Sequence, residues 1–211
     1  SQSDWIDNGF TGENNARGGH RTAACRMQFL WEPSDRFTAL LNFHGWDLDG
    51  TARVFRANIL KHGSDEVASG FSQDKVYQDG LNDQEISSQG GAFTLNYEFD
   101  FGTLTAITGY ETLDMFSRGD IDGGFGAVFA PPSGPGFIPF PSESADGLPE
   151  LDQFTQEIRL ASDTGGAWDW LVGFFYFDES LQADSFSYNS LGGNVQDGYA
   201  FQVQDAESWA L

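Results

Sequence analysis

Apolar and polar residues alternate at period two along most of the chain, the pattern of strands with one greasy face. It is plainest over 153–162, where Phe154, Ile158 and Leu160 fall on one side and Thr155, Glu157 and Arg159 on the other. Asp163-Thr164-Gly165-Gly166-Ala167 then supplies residues that tolerate positive φ, predicting a turn. The next strand, 168–184, places Trp170, Val172, Phe174 and Tyr176 on one face and Leu171, Gly173, Phe175 and Phe177 on the other. The same alternation predicts strands over 20–31 (Ala23, Cys25, Met27, Phe29, Trp31 against Arg26, Gln28) and 37–47 (Phe37, Ala39, Leu41, Phe43 against Thr38, Asn42, His44). It also predicts strands over 85–99 (Phe93, Leu95, Tyr97, Phe99 against Thr94, Asn96, Glu98), 103–118 and 202–211. The expected fold is all-β, an antiparallel meander of about seven strands without substantial helix.

Connection lengths carry further information. Short turns at 32–36, 100–102 and 163–167 alternate with long connections at 48–84, 119–152 and 185–201, so every short turn falls at one end of the sheet. A soluble sandwich has no reason to sort its loops in this way, whereas a transmembrane barrel has short periplasmic turns and long external loops. Aromatic residues agree: Trp31 and Phe37, Phe99 and Phe101, and Trp168 and Trp170 flank the three short turns, where a barrel carries its interfacial girdle. Every proline but Pro33 falls within 119–152, which argues against a central strand there. Residues 1–19 read as a polar, loop-like lead-in. Within 48–84, residues 52–60 extend the preceding strand or make a hairpin of their own.

Two segments carry a family resemblance. Gln153-Phe154-Thr155-Gln156-Glu157-Ile158-Arg159-Leu160-Ala161-Ser162, followed by a Trp-rich turn and Gly173-Phe174-Phe175-Tyr176-Phe177-Asp178-Glu179, resembles the barrel of TonB-dependent outer-membrane receptors. Leu104 to Tyr110, LTAITGY, resembles an earlier strand of the same barrel. The likeness extends over most of the chain. It implies a wall segment of a barrel of about 22 strands with a plugged lumen, located in the bacterial outer membrane and in contact with its lipid. The implied function is uptake of a scarce small-molecule nutrient, such as an iron chelate, cobalamin or an oligosaccharide, with energy from TonB and with the remainder of the receptor chain as partner. Neither the plug domain nor a TonB box has a counterpart in these residues.

Charge narrows the partners. The 211 residues hold 32 Asp and Glu against 10 Lys and Arg, for a formal net charge of −22, and after Arg118 the only basic residue is Arg159. A nucleic-acid partner is thereby discounted, because phosphate binding needs cations to displace condensed counterions. The surface repels anions and attracts cations. The single cysteine, Cys25, excludes an internal disulfide framework. No apolar run reaches the ~18 residues of a transmembrane helix, but a transmembrane strand needs only ~9–11 residues with alternate positions apolar. The chain opens without a signal peptide and reads as a fragment of a mature protein.

Chemistry-bearing residues are sparse. His20, His44 and His62 are scattered, so no zinc site is expected, and His44 reads as lumen-facing. Asp120-Ile121-Asp122-Gly123-Gly124 begins like a calcium loop but lacks a third oxygen ligand and a closing Glu, and is taken as a solvated loop. Gly123 to Gly126 is not a phosphate cradle. No nucleophile and base come together, so no enzyme, cofactor or metal is expected. Glu157 and Arg159 face the polar side together, as a lumen-facing ion pair. Ligand-binding candidates lie in the long loops: the basic set Arg53, Arg56 and Lys61, the acids Asp120 and Asp122, and an aromatic set of Phe125 and Phe129 with Phe137 and Phe140. Two rivals remain open. One is a secreted soluble β-protein that binds a partner. The other follows from the open edges of a seven-stranded piece, which must pair with the remaining receptor strands or with further copies in an extracellular β-rich fibre, for which the uncharged 172–177 window is suited.

Overall fold

The computed structural model describes residues 1–56, 59–61, 63–124, 142–189, 193 and 195–211. It contains ten strands: β1 (Ile6–Asn8), β2 (Glu13–Arg17), β3 (His20–Ser34), β4 (Phe37–Gly50), β5 (Lys75–Val76), β6 (Asp83–Phe99), β7 (Gly102–Asp120), β8 (Glu143–Ser162), β9 (Leu171–Asn189) and β10 (Val195–Ala210). There is no helix among the described residues, and hence none long and apolar enough to cross a membrane, which says nothing about crossing by strands. Seven strands form one antiparallel sheet in the order β10-β9-β8-β7-β6-β4-β3, each hairpin partner its neighbour in the sheet. The turns at 35–36, 100–101 and 163–170 all lie at one end. The outer strands β3 and β10 are not paired with each other, so the sheet is open.

Three expectations are corrected. The 143–152 part of the proline-rich connection is strand, because Pro149 sits at a bulge: Leu113 pairs with Leu151 and Met115 with Leu148, and on the other side Gly147 pairs with Asp184 and Glu150 with Gln182. A bulge frees its extra residue from the ladder, so the missing N–H costs nothing there. Pro33 uses the same device, at the register shift between Trp31 and Ser34. The 185–201 connection shrinks to 190–194, because Phe186 and Tyr188 alternate with serines and pair with Tyr199 and Gln196 across the ladder; the Phe186 and Tyr199 rings are 5.1 Å apart. The lead-in is also ordered: β1 pairs antiparallel with β2 and parallel with β5, giving a second, three-stranded sheet.

The two faces of the large sheet differ in kind. Trp31, Ala39, Leu95, Ala106, Ile158 and Phe174 form one cross-strand row. Phe29, Leu41, Phe93, Thr108, Gln156, Tyr176 and Trp209 form the next. Among the described residues no strand packs on this face: Met27, Phe29, Trp31, Phe43, Phe93 and Ile158 are all exposed, although the small Ala39 between them is buried. The polar members of the band are satisfied within it, Thr108 Oγ1 donating to Gln156 Oε1 at 2.7 Å and Gln156 Nε2 to the Ile107 and Glu157 carbonyls at 3.0 and 3.1 Å. Further along, the same face turns polar with Gln89, Thr112, Asp152, Ser180 and Asp205 in one row. The opposite face is mixed: rows through Asn42, Ala92, Gly109 and Thr155 and through His44, Gly90, Glu111 and Gln153 are small and polar, while the row of Leu30, Leu40, Thr94, Ile107, Glu157 and Phe175 is partly apolar.

An aromatic ladder edges the short-turn end. Trp31 meets Phe37 edge-on at 5.4 Å, Phe37 meets Tyr97 at 6.5 Å, Tyr97 meets Phe99 at 4.6 Å, and Phe99 stacks on Phe101 at 5.2 Å. Trp168 stands 85% exposed beside the third turn. Buried residues gather instead at the far end, where Ile6, Asn8, Ala52, Val76, Gln78, Asn82, Asp120, Asp122, Glu143 and Ala145 lie under the small sheet and the 51–82 connection. The described residues therefore form a wide sheet with an exposed apolar face and a compact cap at its far end.

Candidate functional site

The cap is built by tying the lead-in to the 51–82 connection. Three-residue and two-residue strands such as β1 and β5 have too few ladder bonds to persist alone, so side chains complete them. Asn8 Nδ2 donates to the Gln78 carbonyl at 2.8 Å and Asn8 Oδ1 accepts from the Gln78 N–H at 3.2 Å, extending the β1–β5 pairing by a residue. Arg17 Nε donates to Gln78 Oε1 at 3.3 Å, and Asp4 Oδ1 accepts from the Gly19 N–H at 2.7 Å. Replacing Asn8 with alanine will leave both buried backbone groups of Gln78 unpaired, at about 1–3 kcal/mol for each group left unsatisfied. Hydrogen exchange will show the change as faster exchange over 74–78 with the large sheet unaffected; protection equal to that of the parent would refute the clamp.

Beneath this tie, three acids converge. Asp79 comes from the 51–82 connection, Asp120 ends β7 and Asp122 follows it, and one carboxylate oxygen from each lies within 4.8 Å of the others. Asp120 and Asp122 are each 1% exposed, which corrects the expectation of a solvated loop. The physical reason is local: Gly123 and Gly124 adopt positive φ, turning the chain back so that Gly124 packs against Tyr77, while Asp122 Oδ1 accepts from the Gly124 N–H at 2.7 Å and Oδ2 from the Ser142 N–H at 3.1 Å. Asp120 Oδ2 accepts from the backbone N–H groups of Asp79 and Gly80 at 3.0 and 3.2 Å. Glu143, paired with Asp120 in the β7–β8 ladder, is also buried and accepts from Arg118 Nε; the Arg118 guanidinium lies 3.8 Å from the centre of the Tyr188 ring.

Burial, and next the charge of Asp122, push the Asp120 carboxyl up to about 7, against the two N–H donors that favour its ionised form. Asp79 is raised by the same two causes in the same order. Both residues sit at the cap end, beyond the apolar band. Because the folded pKa of Asp120 lies above the ordinary carboxyl value, the cluster costs no stability below that value, and its cost grows as pH rises from there through about 7.

The other candidates are placed differently. Lys61 Nζ pairs with Glu66 at 2.5 Å inside the small turn closed by the Leu60–Val67 bridge. Arg56 Nη2 donates to the Gln73 carbonyl at 2.7 Å, and burial lowers its pKa against the opposing charge of Asp74. Arg53 is exposed and lends its carbonyl to Asn82 Nδ2 at 3.4 Å. The basic set thus serves separate local contacts and not one anion site. Phe125, Phe129, Phe137 and Phe140, like His62, lie outside the described residues. On the polar face Glu157 and Arg159 form an ion pair of 2.9 Å. A second pair there joins His44 Nε2 to Glu111 Oε2 at 3.0 Å across Gly90, whose lack of a side chain lets the two reach each other over an intervening strand. Sequence reasoning missed Asp79, Glu143, Asn8 and Glu111. For Glu111 a signal existed, since period two puts it on the polar face; Asp79 has no local signal at all. No family model, no curated protein and no solved structure matches the chain.

Proposed function

We propose that the chain is a wall segment of an outer-membrane β-barrel of the TonB-dependent receptor kind, contributing wall strands and external loops to uptake of a scarce nutrient. The observation that carries the reading is the uncovered apolar band on one face of the wide sheet. Along β6 it runs from Gly91 to Phe99, about nine residues, the length a tilted strand needs to cross the hydrocarbon layer. Strands then continue past the band to the cap, as external strand ends do, and the aromatic ladder marks the opposite, short-turn boundary. The polar face, with its Glu157–Arg159 and His44–Glu111 pairs, is assigned to the lumen. The transport step rests on the resemblance of 153–179 and 104–110 to receptor strands. Separate partners for Arg56 and Lys61, together with the acidic balance, favour a neutral or cationic ligand over an anionic chelate.

The open edges favour one further reading. Fifteen-residue β3 is exposed throughout, and apart from the Gln2–His20 bridge its outer edge has no strand beside it among the described residues, so stacking of copies into a fibre is the alternative to closure by further receptor strands. One experiment separates the readings. Single cysteines are placed at 92 through 97 in full-length protein carrying Cys25→Ser, labelled with nitroxides and reconstituted in bilayers. The barrel reading expects oxygen access to peak at 93, 95 and 97 and a water-soluble nickel chelate to reach 92, 94 and 96. Nickel access at every position would support a soluble protein, and loss of access to both reagents at every position would support packed fibre sheets.

A further inference from the structure

We propose that Asp79, Asp120, Asp122 and Glu143 form a calcium site that fastens the 51–82 connection to the cap ends of β7 and β8. The proposal does not rest on the barrel reading, since every ligand comes from the cap itself.

Geometry supplies the first support. Oxygens bound to one calcium lie at 2.3–2.6 Å from it, so ligands on opposite sides of the ion are about 4.8 Å apart. The carboxylate atoms of Asp79, Asp120 and Asp122 all fall within 4.8 Å of one another. Magnesium demands near-ideal octahedral geometry and keeps several waters, which suits a cluster of protein carboxylates less well. An all-oxygen donor set also argues against softer metals such as zinc and copper.

The second support is independent of the clustering. Asp120 Oδ1 has neither solvent contact nor a hydrogen-bond partner, although Oδ2 of the same carboxylate takes two N–H groups. Glu143, whose side chain is 1% exposed, holds Arg118 with Oε1 while Oε2 is equally without solvent or partner. The two side chains border one space: a Cβ on Gly80 would lie 2.7 Å from Glu143 Oε2 and 3.2 Å from Asp120 Cβ. Glycine at position 80 keeps that space open between them. Buried acceptors of this kind are costly unless something positive meets them. Arg118 answers one oxygen of Glu143 and otherwise lies over Tyr188. A divalent cation answers both bare oxygens and the converging aspartates together.

The test uses full-length protein stripped with a chelator and titrated with calcium chloride by calorimetry, and separately with terbium, whose luminescence Tyr77 beside Gly124 is placed to sensitise. The expected result is one saturable calcium per chain, with a dissociation constant of about 10⁻⁴–10⁻³ M, as in extracellular modules, and slower tryptic cleavage after Lys61 when calcium is present. Asp120→Asn should weaken binding by at least about 10-fold, the lower end of what even outer-sphere partners of a metal cost. If that variant does not fold, Asp79→Asn decides, because Asp79 is half-buried and its backbone N–H, which holds Asp120, is retained. Asp114→Asn, on β7 away from the cap, should change nothing. Absence of saturable binding, or binding that Asp79→Asn and Asp120→Asn leave intact, overturns the proposal.

Discussion

If the apolar band is the lipid face of a barrel, as proposed, arginine in place of Phe93 will destabilise the assembled protein by about 2–4 kcal/mol, the cost of a cation near the bilayer midplane. Phe93 is the centre of the band: Leu41 and Thr108 flank it across the sheet, and Trp31, Ala39 and Leu95 separate it from the short-turn end. It is exposed, so the loss cannot come from a filled cavity or a broken contact in a packed interior. The same substitution at Thr94, one residue on and facing the other way, should cost less than about 1 kcal/mol, since lumen positions tolerate charge and Glu157 lies two strands away in the same row. Denaturant unfolding in lipid measures both. Equal costs at 93 and 94 would remove the assignment of faces, and with it the barrel.

Alanine at Gly102 will cost about 1–3 kcal/mol by overpacking, through a contact that no side-chain rotation relieves. Gly102 closes the two-residue turn opposite Phe99 and opens β7 beside Ser162. A Cβ there would run into the Ala161 carbonyl oxygen and lie 3.0 Å from Ser162 Cα, both backbone of β8. The neighbouring turn hangs from the same point, because the Asp163 N–H donates to the Phe101 carbonyl at 2.8 Å and the Ser162 N–H to the Trp170 carbonyl at 2.8 Å. Spreading β7 from β8 therefore loosens two turns at once. Gly166→Ala is the control: its nearest neighbour would be the rotatable Thr164 hydroxyl at 3.2 Å, and the change should stay within about ±0.5 kcal/mol. Thermal unfolding that ranks the two equally would count against this turn geometry.

What was legible in the sequence is what neighbours in the chain decide. Alternation over 85–99 and 103–118 places Asp83–Phe99 and Gly102–Asp120, because a strand's two faces are written in adjacent residues. The three short turns were legible for the same reason. Pro149 misled because its penalty presumes a regular ladder, and a bulge depends on the register of two neighbouring strands. The lead-in offered only Ile6 as an apolar signal within β1; what makes it a strand is Gln78, 70 residues away. The acid cluster divides in the same manner. Asp120 and Asp122 were visible as a spaced pair, but their burial and their third member come from Asp79, which only the folded cap brings near.

The order of the large sheet bears on how the molecule reaches its shape. Every pairing in it joins strands that follow one another, apart from the small β5 inserted between β4 and β6; β3–β4, β6–β7, β8–β9 and β9–β10 close over short stretches of chain, and each pair offers an edge to the next. Loop-closure entropy is small for such steps, and hairpins form within ~1–10 μs. The β1–β5 pairing and the Asn8–Gln78 clamp are the opposite case, long-range contacts rewarded only after the strands between them have met. Zippering thus precedes capping: the sheet grows strand by strand, and the tie at its far end is drawn last over strand ends already in register.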